Sequence, residues 1–436
     1  MTNIHERRRR AIMDLMGEGI AIIPTAPESQ RNSDVHYPFR PDSDFYYVTH
    51  FPEPQAVAVL IPGRAEGEFV LFCRESNPEQ ETWHGRRAGL EGACNNFDAD
   101  DAFPIEDIGD ILPGLIENRP KIYYNLGRYA DFDKRLLRWV SEVKSKVRSG
   151  ISAPEELVDL GHILHELRLI KHREEIHHMK RAAEVSAAAH RRAMTTCHPG
   201  MTEGQVQAEL EYEFGRGGAK SWAYPSIVAG GGNACILHYT ENADVLNDGD
   251  LLLIDAGAEI DCYAADITRT FPVNGRFTPE QQALYEIVLA SQLAAIDMIR
   301  PGQSWNDPHE AAVIVLTQGL IELGLLSGNV DQCIEDGAYR RFYMHRTGHW
   351  LGLDVHDVGE YKIDNAWRML ETGMVLTVEP GLYITAGKDI DQRWHNIGIR
   401  IEDDVLVTST GAEVLTGDVP KRPADIEALM ATERVN

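Results

Sequence analysis

The chain has 436 residues, 42 Lys and Arg against 68 Asp and Glu, and a formal net charge of −26. With 43 % hydrophobic and 25 % charged residues it has the balance of a soluble globular protein long enough for two domains, and 37 Gly and 21 Pro exclude collagen-like and low-complexity chains. The acidic surplus argues against a nucleic-acid partner, which would need clustered Lys and Arg, and no apolar run approaches the ~20 residues that cross a bilayer.

Arg7 to Arg10 are followed by Asp14, Gly17 and Glu18 instead of an apolar stretch. This reads as an amphipathic helix with its arginines on a solvated face, not as a secretory or twin-arginine signal. Residues 20–26, 44–51, 56–62 and 68–74 are rich in Val, Ile, Phe and Tyr and read as strands. Helical spacing over 105–116, a strand over 121–125 and a helix over 129–147 complete an α/β domain with a mixed sheet. The Ser/Gly/Pro cluster at 149–154 is a linker signal, and we divide the chain into residues 1–165 and 166–436.

From 154 to 197 the pattern is helical, with His177, His178 and His190 read as solvent-facing, and it stops at His198-Pro199-Gly200. Thr202-x-x-Gln205 is a capping box that starts a second helix. The same punctuation returns. Thr278-Pro279-Glu280-Gln281 opens a helix ending at Arg300-Pro301-Gly302, and Ser304 leads into another. Two helix pairs, each followed by β-rich sequence, suggest an internal duplication. Cys73, Cys94, Cys197, Cys235, Cys262 and Cys333 have no C-x-x-C spacing, so they read as reduced thiols of a cytoplasmic protein. Gly230-Gly-Gly-Asn233 lacks the Lys and Ser/Thr of a phosphate loop and reads as a turn beside His238.

The chemistry concentrates in the second part. The apolar run at 251–254 delivers Asp255, and a second β-like stretch delivers Asp266. A hairpin turning between Ile260 and Asp261 would set the two carboxylates directly opposite, close enough to ask for a cation. Taken alone, the pair also fits two solvated aspartates. His345, His349 and His356 fall within one short segment with no H-E-x-x-H zinc helix. Pro380 holds Glu379 extended at a strand end, and Arg400 and Glu402 share one strand face, which alone also fits a solvent-facing pair. Asp255, Asp266, Glu379 and Glu402 carry four negative charges, the sum that two divalent cations cancel. With His349 they form an oxygen-rich set that suits Mn²⁺ better than Zn²⁺. Each repeat-like half contributes two of the acids, which supports the duplication.

In their order, these residues resemble the dinuclear "pita-bread" metallopeptidases. The stretch His345–Asp357, together with Ile236-Leu-His238-Tyr-Thr-Glu-Asn242 and Asp266-Ile-Thr-Arg-Thr-Phe-Pro272, is most similar to aminopeptidase P, the Xaa-Pro aminopeptidases. Arg31-Asn-Ser-Asp34 and Arg40-Pro-Asp-Ser-Asp-Phe45 resemble that family's N-terminal domain. The resemblance implies an α/β (α+β) protein, an N-terminal mixed-sheet domain followed by a pita-bread (creatinase/aminopeptidase) domain with a pseudo-two-fold duplication. It also implies release of the N-terminal residue from peptides with proline second, by a metal-bridging hydroxide at a dinuclear Mn²⁺ site, with Co²⁺ or Zn²⁺ as alternative metals.

By the same resemblance Asp255 holds one metal, Asp266 and Glu402 bridge, and His349 and Glu379 hold the second. Glu379 is also the general base, His238 and His356 stand at the scissile carbonyl, His345 walls the proline site, and Arg400 and Tyr383 support Asp255. Trp83 reads equally as a core tryptophan or, as in the family, as a residue reaching a neighbouring subunit's site. The implied partners are peptides with proline at position 2, with no nucleic acid and no membrane, in a homo-oligomer (tetramer or dimer). The rival readings are a prolidase restricted to Xaa-Pro dipeptides and a non-catalytic pita-bread binding module.

Overall fold

The computed structural model describes residues 3–432, and the chain divides into two compact units, the first ending at Arg168 and the second beginning at Leu169. The first unit is built on a six-stranded mixed sheet in the order Asp101–Pro104, Phe69–Cys73, Val57–Leu60, Ile20–Pro24, Lys121–Tyr123, Glu156–Val158. Neighbours pair antiparallel at Ala21↔Leu60 and Val57↔Phe72, and parallel at Val70↔Asp101, Ile20↔Ile122 and Ile122↔Leu157. Helices Ile108–Ile116 and Ala130–Ser145 bury Leu112, Ile116, Leu136, Trp139 and Val143 against the sheet's Ile20, Val59 and Phe72. Their apolar stripes have the period of helices that cover one sheet face.

Three local expectations are corrected here. Residues 44–51 are not a strand but the helix Ser43–Thr49. Asp42 caps it by accepting from the Phe45 N–H at 3.0 Å, and all seven residues are buried, so no alternation betrays the period. The segment 149–154 does not end the first unit, because Glu156–Val158 follows it onto the sheet edge. Pairing with Lys121–Tyr123 overrides the helical composition there, and helix Arg173–Thr196 starts separately, with the Glu175 carboxylate accepting from the His172 N–H. Finally, Arg8 and Arg9 are buried. Their guanidinium groups lie over Tyr47 and Phe69 and donate to the Tyr47 and Val48 carbonyls.

The second unit repeats one plan. Helices Arg173–Thr196 and Glu203–Arg216 form the first pair, Pro279–Asp297 and Asp307–Glu322 the second, with capping boxes at Thr202 and Thr278. Long antiparallel hairpins follow each pair. The first runs from Leu251↔Pro272 to Asp255↔Thr268 and resumes in the same register at Glu259↔Ala264 and Ile260↔Tyr263. The second runs from Val375↔Leu406 to Val378↔Asp403 and resumes, again in register, from Gly381↔Arg400 to Ile384↔Ile397. One core of Val185, Leu210, Leu252, Ile254, Phe271, Leu284, Leu316, Leu382 and Ile399 joins helices and hairpins. No disulfide links the cysteines, and among the described residues no helix is long and apolar enough to cross a membrane.

Candidate metal centre

The acids lie where the two hairpin ladders are interrupted. In the second hairpin the shared register aims Glu379 at Glu402, beside Pro380, which has no N–H to give to the ladder. In the first, Asp255 is opposite Thr268, so the expected direct pairing of Asp255 with Asp266 is corrected. The turn centres on Asp261 and Cys262, both with positive φ (49° and 65°), one residue beyond the expected position. This moves the partner by two residues and therefore keeps Asp266 on the face of Asp255. Gly257 is required in the gap, because a Cβ there would stand 1.7 Å from the Ala265 carbonyl oxygen.

Asp255, Asp266, Glu379 and Glu402 come to this one place, together with His238, His345, His349, His356, Tyr383 and Arg400. Tyr224 joins Asp255 and Asp266, its hydroxyl lying 2.7 Å from Asp255 Oδ1 and in contact with Asp266 Oδ1. His349 Nε2 lies 3.5 Å from Asp266 Oδ2 and 3.6 Å from Glu379 Oε1. Its Nδ1 is 3.0 Å from the Trp350 carbonyl, so that nitrogen carries a proton and Nε2 faces the acids. One ligand atom each from Asp266, His349 and Glu402 lies within 4.8 Å of the others. Arg400 donates to Asp255 Oδ2 at 2.7 Å, to the Thr268 hydroxyl at 3.1 Å and to the Tyr383 oxygen at 3.0 Å. Tyr383 in turn donates to His345 Nε2 at 2.8 Å, and His345 Nδ1 donates to the Arg346 carbonyl. The His356 ring stands edge-on to His349 at 4.3 Å. His238 is exposed on the same rim, and its charge opposes protonation of both His345 and His356.

The electrostatics are those of an anionic nest that Arg400 and His349 compensate only in part. Burial, then the neighbouring acids Asp266, Glu379 and Asp255, push the Glu402 carboxyl well above the usual range. Burial also pushes Glu379 up to about 7 and raises Asp255 despite Arg400. Burial alone would lower His349, but its hydrogen bond to Asp266 and the Glu379 charge win and lift it to about 9. Burial would raise Asp266, and the His349 contact outweighs it downwards. The acids thus recruit protons wherever the chain offers no cation. Hard oxygen donors, one imidazole in the ligating tautomer and surplus negative charge fit divalent cations.

Comparison with known proteins agrees with that chemistry. The description of metallopeptidase family M24 matches residues 177–409, and that of the aminopeptidase P N-terminal domain matches residues 5–123. The chain belongs to the aminopeptidase P family. It is 45 % identical over 431 residues to the Xaa-Pro aminopeptidase of Escherichia coli K12, covering 98 % of both chains. The structure of Pseudomonas aeruginosa aminopeptidase PepP superposes with a TM-score of 0.97 at 60 % identity, covering 98 % of this chain and 97 % of that one. Zinc-substituted E. coli aminopeptidase P in complex with product gives 0.96 at 45 % identity, over 99 % of each chain. The fold is therefore the family's N-terminal domain followed by a pita-bread domain, and the chain is a metallo-aminopeptidase.

Several members of this aminopeptidase P site carry no motif by which sequence reading could find them. Tyr224 sits in the loop between strands Ser221–Trp222 and Ile227–Gly230, far in sequence from both aspartates it joins. Thr268 donates its hydroxyl proton to Glu402 Oε2 at 2.6 Å. Asp404 Oδ2 accepts from the Asp266 N–H at 3.0 Å, while its buried Oδ1 has no hydrogen-bond partner. The only available signal was alternation, since residues 402 and 404 share a strand face. Arg400 and Glu402 do not form a solvent-facing pair, being 4 % and 2 % exposed. His190 is likewise buried, donating from Nε2 to the Ala256 carbonyl, and burial lowers it to about 4. Trp83, in contrast, is no core residue: it is 79 % exposed on helix Pro78–His84 of the first unit.

Proposed function

We propose that this metallo-aminopeptidase removes the N-terminal residue from peptides whose second residue is proline, using two divalent cations, Mn²⁺ in preference to Co²⁺ or Zn²⁺. The observation that carries the reading is the meeting of four acids and one imidazole, two acids from each hairpin, with Glu402 buried among the other three and driven well above the usual carboxylate range although Arg400 is near. Asp255, Asp266, His349, Glu379 and Glu402 would hold the metals. When bound, such cations acidify water towards hydroxide near neutral pH and polarise a carbonyl.

The residues of the chain supply the rest. Glu379 takes the proton of the attacking water as the new C–O bond forms at the scissile carbonyl. It returns a proton to the proline nitrogen as the C–N bond breaks, converting a tertiary amide nitrogen into a secondary amine. His356 and His238 donate to the carbonyl oxygen as negative charge develops there. His345 is held neutral, lowered to about 4 by burial, by its chain to Tyr383 and Arg400, and it offers a ring wall for the pyrrolidine. We further propose a cytoplasmic homo-oligomer (dimer or tetramer) in which Trp83 reaches a neighbouring subunit's site, a use for a tryptophan left this exposed.

The deciding experiment compares Arg-Pro-Pro with Ala-Pro as substrates of the Mn²⁺-loaded protein. Release of arginine from the tripeptide is expected. Activity on the dipeptide alone overturns the reading in favour of a prolidase, and failure to retain Mn²⁺, Co²⁺ or Zn²⁺ after reconstitution overturns the catalytic reading altogether.

A further inference from the structure

We propose that Lys171 is a positioning residue for His356, acting through Asp357. The inference rests on the role given above to His356 at the scissile carbonyl. His356 belongs to no helix or strand, and its exposed ring touches His349 only edge-on. What fixes its direction must therefore come through the adjoining backbone. The segment that carries it leaves the strand region at Leu351, whose N–H donates to the Val375 carbonyl, and closes where the Asp357 N–H donates to the Trp350 carbonyl at 2.9 Å. Midway, the Gly352 carbonyl accepts from the Ala264 N–H at 2.9 Å.

The residue next to His356 is buried where His356 is exposed. The Asp357 carboxylate is buried, with Oδ2 2.9 Å from Lys171 Nζ, and both side chains are 1 % exposed. Lys171 is itself held, since its N–H donates to the Gly373 carbonyl at 2.8 Å just before helix Arg173–Thr196. The pair closes tightly over Gly352, where a Cβ would meet Asp357 Oδ2 at 2.2 Å and Lys171 Cε at 2.9 Å. A buried ion pair adds little stability over an apolar pair of the same size, because desolvation offsets its attraction. It does impose a direction. With Asp357 drawn inward by Lys171 and the segment pinned at both ends, the backbone that carries His356 is fixed where its exposed ring meets His349 at the metal centre.

The test is a double-mutant cycle on Arg-Pro-Pro turnover by the metal-loaded enzyme, with bound metal and the unfolding midpoint measured alongside. Lys171→Met is expected to lower kcat by about ten-fold or more with KM and bound metal nearly unchanged, and by less than about two-fold when His356 is already alanine. Equal losses in the two backgrounds, or no loss with His356 present, overturn the proposal while leaving the assigned role of His356 intact. A His356→Ala enzyme of undiminished rate overturns that role and this inference with it. Should Lys171→Met fail to fold, Asp357→Asn, which keeps the shape and an acceptor but not the charge, enters the same cycle with the same expected and contrary outcomes.

Discussion

Glu402 and Asp403 are consecutive and nearly devoid of solvent contact, at 2 % and 0 % exposure, yet burial leaves them in opposite states. Asp403 receives Arg269 Nη2 and the Thr416 hydroxyl on one oxygen, and Lys421 Nζ and Gln292 Nε2 on the other. Burial would raise it, but those two cations outweigh burial and hold it down to about 2. Glu402 receives only the Thr268 hydroxyl and faces acids, so it is driven well above the usual carboxylate range. Alternation along the strand sends one carboxylate to a cluster that the chain completes for itself. The other goes to a cluster that needs cations from outside. A buried charge is thus evidence of function only when its partners inside the protein have been counted.

Breaking the partly compensated cluster is expected to have the largest effect. Asp266→Ala or Glu402→Ala will take turnover of Arg-Pro-Pro below about a few per cent and reduce bound metal by elemental analysis, since each removes a proposed ligand. Residual activity above that level contradicts the assignment. Glu379→Gln keeps the volume and one oxygen donor, so some metal stays while kcat falls roughly 10²–10⁴-fold. An unchanged rate removes its role as base.

Breaking the compensated cluster will act on stability instead. Arg269→Met strips a fully buried carboxylate of its main partner and is expected to cost about 3–5 kcal/mol in urea unfolding. The two clusters also differ in the sign of their pH dependence. In chelator-treated protein the contribution of protonated Glu379 is complete below about pH 4.3 and lost as pH rises through about 7. That of the His349 imidazolium is complete below about pH 6.5 and lost through about 9. The unfolding midpoint of the stripped protein will therefore fall between pH 5 and 9, and saturating Mn²⁺ will remove that fall by holding the ligands deprotonated. A pH-independent midpoint in stripped protein would show that the nest is not compact. Asp403 runs the other way, its contribution present above about pH 3.9 and lost as pH falls towards about 2. The smallest change is expected for a pair of the same chemistry left in solvent. Lys180 meets Glu413 with the two side chains 43 % and 44 % exposed, so Lys180→Met will shift stability by no more than about 1 kcal/mol.

Much of the site was legible because its residues are rare types at strand ends. An apolar run ending in Asp255, a Glu379 followed by proline and three histidines around glycines announce chemistry without coordinates. The paired capping boxes at Thr202 and Thr278 revealed the duplication for the same local reason, since a cap is written within four residues. Tyr224 was not legible, because nothing in its neighbourhood states that its hydroxyl will join Asp255 to Asp266. The misreading of 44–51 has a related cause: a fully buried seven-residue helix shows no polar face from which to read a period. Arg8, Arg9 and His190 were placed in solvent on composition, but each finds backbone carbonyls inside, where its hydrogen bonds replace water.

The sequence by itself determined the two-part organisation, the α/β character and the repeated helix-pair punctuation, and it singled out the four acids and one imidazole proposed as ligands, because periodicity, caps and residue chemistry are local properties. Only the tertiary structure decided that Asp255 lies opposite Thr268, that Glu379 and Glu402 meet in the gap of one hairpin, and that Asp403 is neutralised while Glu402 is not. Register and charge compensation depend on which distant segments arrive beside a side chain, and that distance is set by packing, which no local pattern encodes.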